Sequence, residues 1–232
     1  MPPPSTVSAL DTAAFDCMER LDELRKSLIV VNVYAMSRAM TARDFDYLNR
    51  ASGYLWVSAA LEEFVKRILS VLIAEINDAG VCCKDLRQSL LTLDKARDFQ
   101  ALHSLGHPQD LRKWAHQVGV LSCVGSDELA TLSIREEHWP IDGSTLHKAQ
   151  LEAIWAVFGL KPDPVPSPRT YGFLTDLREN RTRAAHGEEN AIAIGRQQSA
   201  QDALDLISRA EELGIHMHER GTSYLLGRDY LR

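Results

Sequence analysis

The sequence predicts an all-α protein, a bundle of four main helices with a mostly helical insertion between the second and the third. Long stretches of the chain repeat apolar residues at three- and four-residue spacing, which is the period of an amphipathic helix. Strand signals are weak, and no internal repeat or low-complexity segment is visible among the 232 residues. This length suits one large domain or one domain with an insertion.

Residues 1–10 are predicted to form a disordered tail, and residues 11–232 a single domain. The first helical pattern runs from Asp11 to Ala42 and the second from Asp44 to Asn77, where Gly80 follows. The apolar residues of the second pattern cover a broad side of the helix. We therefore expect it to be a central helix that touches several neighbours.

The insertion is predicted over residues 81–143. It contains two helical patterns, Lys84–Leu105 and Gln109–Val118, separated by a glycine and a proline. The stretch from Cys123 to Gly143 is rich in turn residues and is compatible with a short hairpin.

The second half of the chain predicts three more helices. One runs from Ser144 or Thr145 to Phe158 and ends at Gly159. Residues 161–168 hold a proline at every second position, which predicts a stiff, extended connector. The patterns Thr170–Ala185 and Ser199–Arg220 supply the last two helices.

Composition narrows the setting and the partners. No apolar run reaches the roughly 18 residues of a membrane span, and the N-terminus does not read as a signal peptide. The four cysteines do not resemble a disulfide framework, so we expect a reduced, cytoplasmic protein without membrane contact. The net charge of −6 argues mildly against non-specific binding of long nucleic acids, although it leaves room for a local basic patch.

The most informative segment is Arg181-Thr-Arg-Ala-Ala-His186-Gly187. Arg181 falls in the apolar stripe of its helix, so we expect it to point towards other protein, where an unpaired charge is costly. His186 ends the helix, where the dipole favours a positive imidazole. An ideal helix separates the two residues by about 140° and about 7.5 Å along the axis. They can converge if the helix frays before Gly187, or if a second subunit brings its own copy.

A histidine next to a fixed cation suits metal-free cleavage of RNA. The imidazole can remove a proton from a ribose hydroxyl and return it, while the guanidinium stabilises negative charge on phosphate. The spacing alone is weak, because Arg97…His103 and Arg209…His216 repeat it. The alternative interpretation is a histidine that caps the helix and an arginine that pairs with a carboxylate such as Glu62.

The same segment resembles the Arg-x4–6-His signature of the HEPN superfamily. The stretch Ala51–Lys66 is similar to the second helix of the branch called RiboL-PSP-HEPN, and the segment from Trp139 to Leu160 is similar to the one before the motif helix. The resemblance extends over most of residues 11–220, with the insertion matching least. It implies a four-helix bundle that forms a homodimer and places two motifs at the subunit seam.

The resemblance also implies roles for individual residues. Arg181 and His186 become the catalytic pair of a metal-independent endoribonuclease, which acts on RNA without a cofactor or metal, and Glu62 becomes a residue that orients Arg181. Further positions are expected to support the site or contact RNA: Arg178, Asn180, Thr182 and Arg183. Arg178 and Arg183 are equally compatible with a solvated, ion-paired helix face.

Such endoribonucleases often serve in toxin–antitoxin or phage-defence systems, so an antitoxin or another defence protein is an expected partner. Thr182 departs from the family pattern, in which a small polar residue such as asparagine usually follows the arginine. A catalytically inactive binding or regulatory subunit of a defence or RNA-processing complex is therefore the alternative function.

Overall fold

A computed structural model of the chain describes residues 4–36, 40–96, 99–100, 117–118, 131, 134, 139, 145–187 and 189–232. These residues are mostly helical, and they contain no β-strand beyond two isolated bridges. The prediction of an all-α fold is confirmed.

The first two helices form an antiparallel pair. Helix α1 spans Pro4–Met36 and helix α2 spans Met40–Asp78. Thr6, near the start of α1, donates a 2.9 Å hydrogen bond to Glu75 near the end of α2, whereas Arg50 in the first half of α2 donates to Asn32 near the end of α1. The two helices therefore run in opposite directions along their whole length.

The start of α1 corrects one expectation. Residues 4–10 are helical, although the sequence favours a disordered tail over residues 1–10. Proline is tolerated in the first turn of a helix, because its missing N–H would have no partner there. Leu10 is fully buried and the Thr6 hydroxyl is bonded to α2, so contacts distant in sequence hold this turn.

The beginning of the predicted insertion belongs to the packed core. Two short 3₁₀ turns, Cys83–Asp85 and Gln88–Leu90, lead into the one-turn helix α3, Leu91–Asp94, in place of the continuous helix expected from Lys84. Leu86, Leu90 and Leu93 are buried, and Arg87 N–H donates to the carbonyl of Tyr230. This segment therefore packs against the C-terminus. Most of the predicted helix Gln109–Val118 and the possible hairpin lie outside the described residues.

The remaining helices are α4 (Lys148–Phe158), α5 (Arg169–His186), α6 (Ala191–Arg196) and α7 (Ala200–Gly227). Gly159 and Gly187 follow α4 and α5 in the left-handed conformation, with φ of 67° and 66°, as the sequence predicted for the two helix ends. The connector over residues 161–168 is not helical, and its Asp163 carbonyl accepts a 2.8 Å hydrogen bond from His216 on α7.

Helix α2 is the centre of the bundle, as its broad apolar coverage predicted. It contacts α1, α5, α6 and α7. Its buried residues include Leu61, Phe64 and Leu72, and they share one core with Leu174 and Leu177 of α5. The inner side of α5 is therefore fixed against the bundle, while its outer side and its C-terminal end stay accessible.

Candidate functional site

The C-terminal turns of α5 leave the core. Leu174 and Leu177 are 0% exposed, but Arg181 and Ala184 on the same stripe are half-buried, and His186 is exposed. The apolar stripe thus continues past the point where the bundle can cover it. Arg181, which the sequence expected to point towards other protein, is half-buried and keeps partial contact with water.

Arg181 and His186 diverge within one chain. Helix α5 is continuous to His186 and is closed by Gly187, so the helix does not fray before the histidine. With helical geometry throughout, the two side chains leave the axis about 140° apart. Neither side chain makes a hydrogen bond or an ion pair with another described residue.

Glu62 has a different partner from the one expected. Its carboxylate accepts a 2.7 Å hydrogen bond from the buried Ser58 hydroxyl, one turn earlier on α2. Among the described residues there is no bond between Glu62 and Arg181, so neither the orienting contact nor the ion pair considered from the sequence is present.

The copy of the arginine–histidine spacing that lies within the described residues, Arg209…His216, differs from this one. His216 of the pair Arg209…His216 is bonded to the Asp163 carbonyl and stacks on Trp155, with ring centroids 6.1 Å apart. That histidine serves the packing of α7 against α4 and the connector. The pair Arg97…His103 lies outside the described residues.

Arg183 anchors the loop that follows the motif. Its guanidinium donates a 2.9 Å hydrogen bond to Asn180 Oδ1 and forms an ion pair with Glu189, which also accepts a 3.0 Å bond from Gln197. Asn180 in turn donates to the carbonyl of Asp176. Two of the expected RNA contacts, Asn180 and Arg183, are therefore engaged in shaping the chain around Gly187.

A cleft of about 680 Å³ separates α4 from the outer side of α5. It brings together three of the predicted residues, Arg178, Thr182 and Arg183, with two that the sequence analysis missed, His147 and Lys148. Arg178 is exposed and has no bonded partner among the described residues. The sequence placed His147 inside a helix expected to start at Ser144 or Thr145, whereas the helix starts at Lys148 and His147 is its N-cap residue.

A second cleft, of about 370 Å³, lies on the other flank of α5. Arg183 and Asn180 line it together with Tyr54 of α2 and Gln198, whose amide donates to the Tyr54 hydroxyl. Burial raises the pKa of Tyr54 to about 12, so this phenol stays protonated at neutral pH. The lining of this second cleft also contains three carboxylates: Asp176, Asp202 and Asp205.

A family model described as MAE_28990-like HEPN matches residues 10–213. The chain belongs to the HEPN superfamily. The resemblance read from the motif is thereby confirmed at the level of the superfamily, while the matched branch has a different description from RiboL-PSP-HEPN. Comparisons with curated proteins and with solved structures give no match.

Two further observations describe what this HEPN chain contains. Among the described residues, no group of three or more histidine, cysteine, aspartate or glutamate side chains is arranged to hold a metal ion. None of the helices in the same part of the chain is long and apolar enough to cross a membrane.

Proposed function

We propose that this HEPN protein is a metal-independent endoribonuclease with Arg181 and His186 as its catalytic pair. The observation that carries the proposal is that neither side chain is used to hold the fold. Arg181 interrupts an apolar stripe without gaining a partner among the described residues, and His186 stands exposed at a closed helix end. Arg183 and His216, by contrast, are engaged in structural contacts.

The proposed reaction is transfer of a phosphoryl group within the RNA chain. His186 removes the proton of a ribose 2′-hydroxyl, and the 2′-oxygen attacks the adjacent phosphorus. The bond from phosphorus to the 5′-oxygen breaks, and that oxygen takes up a proton that the imidazolium can supply. The products are a 2′,3′-cyclic phosphate and a 5′-hydroxyl. Arg181 stabilises the negative charge of the phosphorane-like transition state.

The divergence of the two side chains favours a site shared by two subunits. A continuous α5 holds Arg181 and His186 of one chain apart, and two-fold symmetry can bring the arginine of one chain near the histidine of the other. We therefore include a homodimer in the proposal.

The outer side of α2 is a suitable surface for such a dimer. Phe45, Leu48 and Leu55 follow helical spacing along it and are 55%, 42% and 36% exposed, and Trp56 beside them is 66% exposed. Large apolar side chains exposed on one side of a helix suit an interaction surface. The opposite side of the same half of α2 contacts α6, so this surface belongs to the end of the bundle that holds the motif.

The test is cleavage of RNA by the purified protein in EDTA. We expect fragments ending in 2′,3′-cyclic phosphate, and we expect His186→Ala to slow cleavage by roughly 10²- to 10⁴-fold, the usual contribution of a general base. His218→Ala is the matched control, because His218 is bonded to Asp11 on α1 and lies on another helix. Equal cleavage by the wild-type protein and His186→Ala would refute the assignment.

The same assay separates the alternative function. Thr182 in place of the usual asparagine favours a HEPN subunit that binds RNA or a partner protein without cutting. Binding of RNA without any cleavage would support that alternative. Loss of cleavage in a folded Arg181→Lys variant would argue against it, since lysine keeps the charge but not the planar, two-pronged donor.

In the cell we propose a role as a toxin or a phage-defence effector, controlled by an antitoxin or another defence protein. Induced expression should then arrest growth, and expression of His186→Ala should not.

A further inference from the structure

The cleft between α4 and α5 lies on the same side of α5 as His186. Thr175, Glu179 and Thr182 line the cleft, and together with His186 they occupy positions i, i+4, i+7 and i+11. Residues at this spacing share one side of a helix, and His186 follows Thr182 by one turn, about 6 Å along the axis. We infer that this cleft binds the backbone of single-stranded RNA next to the bond that is cut. The inference rests on the proposed function.

Two cations on opposite walls of the cleft are available to phosphates. Lys148 on α4 is exposed, with its Nζ 4.6 Å from the centre of the Tyr171 ring and 3.6 Å from Glu152, a distance too long for a strong ion pair. Arg178 on α5 is exposed and has no bonded partner among the described residues. Since Arg183 is neutralised by Glu189, Lys148 and Arg178 carry the attraction for phosphate.

The cleft also contains carboxylates, which set a limit on its charge. Glu152 and Glu179 line it together with three cations, Lys148, Arg178 and Arg183. Because the carboxylates offset part of the positive charge, we expect the cleft to attract phosphate less strongly than a uniformly basic groove would. A cleft without a large excess of cations is consistent with a protein whose net charge is −6.

His147 supplies a group that can distinguish RNA from DNA. Its Nδ1 lies 3.0 Å from the carbonyl oxygen of Thr145. A carbonyl can only accept, so Nδ1 carries the hydrogen, and Nε2 of the neutral ring is an acceptor. That nitrogen has no bonded partner among the described residues, and the half-buried ring lines the cleft. An acceptor at this position suits the ribose 2′-hydroxyl, a donor that DNA lacks.

The experiment measures binding separately from cleavage. A His186→Ala protein in EDTA is titrated with a labelled 12-nucleotide RNA and with single-stranded DNA of the same sequence, and fluorescence anisotropy is recorded over a range of salt concentrations. Lys148→Ala, Arg178→Ala and His147→Ala are added to this background. Lys26→Ala is the matched control, because Lys26 is an exposed lysine on α1, paired with Asp22 and absent from the cleft.

We expect Lys148→Ala and Arg178→Ala to weaken binding of both nucleic acids and to lower the slope of log K against log salt by about 0.7 each, the value for one phosphate contact on a single strand. His147→Ala should reduce the ratio of RNA to DNA affinity and leave the slope unchanged. Far-UV circular dichroism checks that the variants fold.

The experiments can refute RNA binding in the cleft and the proposed nuclease activity independently of each other. If Lys148→Ala and Arg178→Ala behave like Lys26→Ala while the wild-type protein cuts RNA, the cleft inference is overturned and the nuclease stands. If they lose RNA binding but the wild-type protein does not cut, the cleft stands and the nuclease falls. An RNA-to-DNA ratio that does not change in His147→Ala overturns the role of His147, and absence of RNA binding at every salt concentration overturns the whole inference.

Discussion

Replacing Gly195 with alanine would drive a methyl group into the backbone of α2. Gly195 is buried in α6, and a Cβ built on it lies 1.7 Å from the carbonyl oxygen of Tyr47 and 2.5 Å from the carbonyl carbon. Contacts under 3.0 Å essentially do not occur for real Cβ atoms, so α6 would have to move by more than about 1 Å. The opposing atoms are backbone, so no side-chain rotation can relieve the clash.

Two effects oppose each other in this substitution. Alanine is favoured over glycine in a helix by about 0.8–1.0 kcal/mol. Overpacking costs typically about 1–3 kcal/mol, and a clash with backbone belongs at the upper end of that range. We therefore expect Gly195→Ala to lower the free energy of unfolding by about 2 kcal/mol. For a domain of this size, that loss lowers Tm by about 4–8 °C.

Gly172→Ala is the matched control. Gly172 lies in α5, is exposed, and a Cβ built on it meets no atom within 4 Å. This substitution should stabilise the protein by up to about 1 kcal/mol, because only helix propensity acts. Urea and thermal denaturation followed by circular dichroism measure both variants. If the Gly195→Ala protein is as stable as Gly172→Ala, the close packing of α6 against the Tyr47 backbone is refuted.

Two other predictions concern stability and reactivity. Ser199→Ala should cost about 1 kcal/mol near pH 7, because Ser199 and Asp202 form the capping box of α7. The hydrogen bonds from Ser199 lower the pKa of Asp202, so the carboxylate stabilises the fold above about pH 4. This contribution is lost as the pH falls through the folded pKa. If urea titrations show that Ser199→Ala lowers the free energy of unfolding by the same amount down to about pH 3, the prediction is wrong. Burial raises the pKa of Cys17 to about 12, so its thiol is protonated and unreactive at about pH 8. Iodoacetamide at that pH should label the half-buried Cys82 and should label Cys17 only after the protein is denatured. Mass spectrometry of peptides measures the two labelling rates, and equal rates would contradict the prediction.

The sequence predicted those features of the fold that depend on local geometry. Gly159 and Gly187 end their helices because the left-handed conformation favours a residue without a Cβ. The single glycine in the sequence is therefore enough to predict each helix end. Helix α6 was missed because six residues are too few to display a helical repeat. Its local signal is Asn190, whose side chain caps the first turn, and its seating depends on Tyr47, far away in sequence.

The candidate site was predicted only in part, because only part of it is encoded by residues close together in the sequence. The motif is local, so Arg181 and His186 could be found from their spacing and from Gly187. The exposure of Arg181 depends on where the bundle stops covering α5, which a helical wheel does not contain. The cleft was missed because His147 and Lys148 reach Arg178 through the pairing of two helices.

A site shared between two chains can be tested by mixing inactive proteins. Arg181→Ala and His186→Ala should each be inactive alone, but a mixed dimer contains one site with the arginine of one chain and the histidine of the other. Unfolding and refolding an equal mixture should recover about a quarter of the wild-type activity, because half of the dimers are mixed and each holds one complete site of two. No recovery, although mixed dimers form, would refute a site made of the arginine of one chain and the histidine of the other.

The mixed dimer also assigns the cleft to a chain. Because the cleft and His186 share one side of α5, RNA that reacts at a given histidine should lie in the cleft of the same chain. Lys148→Ala should therefore reduce the recovered activity when it is placed on the Arg181→Ala chain, which supplies the histidine, and should have little effect on the His186→Ala chain. The opposite pattern would mean that the strand crosses the seam before it reaches His186, and equal effects in both chains would mean that Lys148 acts on the dimer and not on the bound strand.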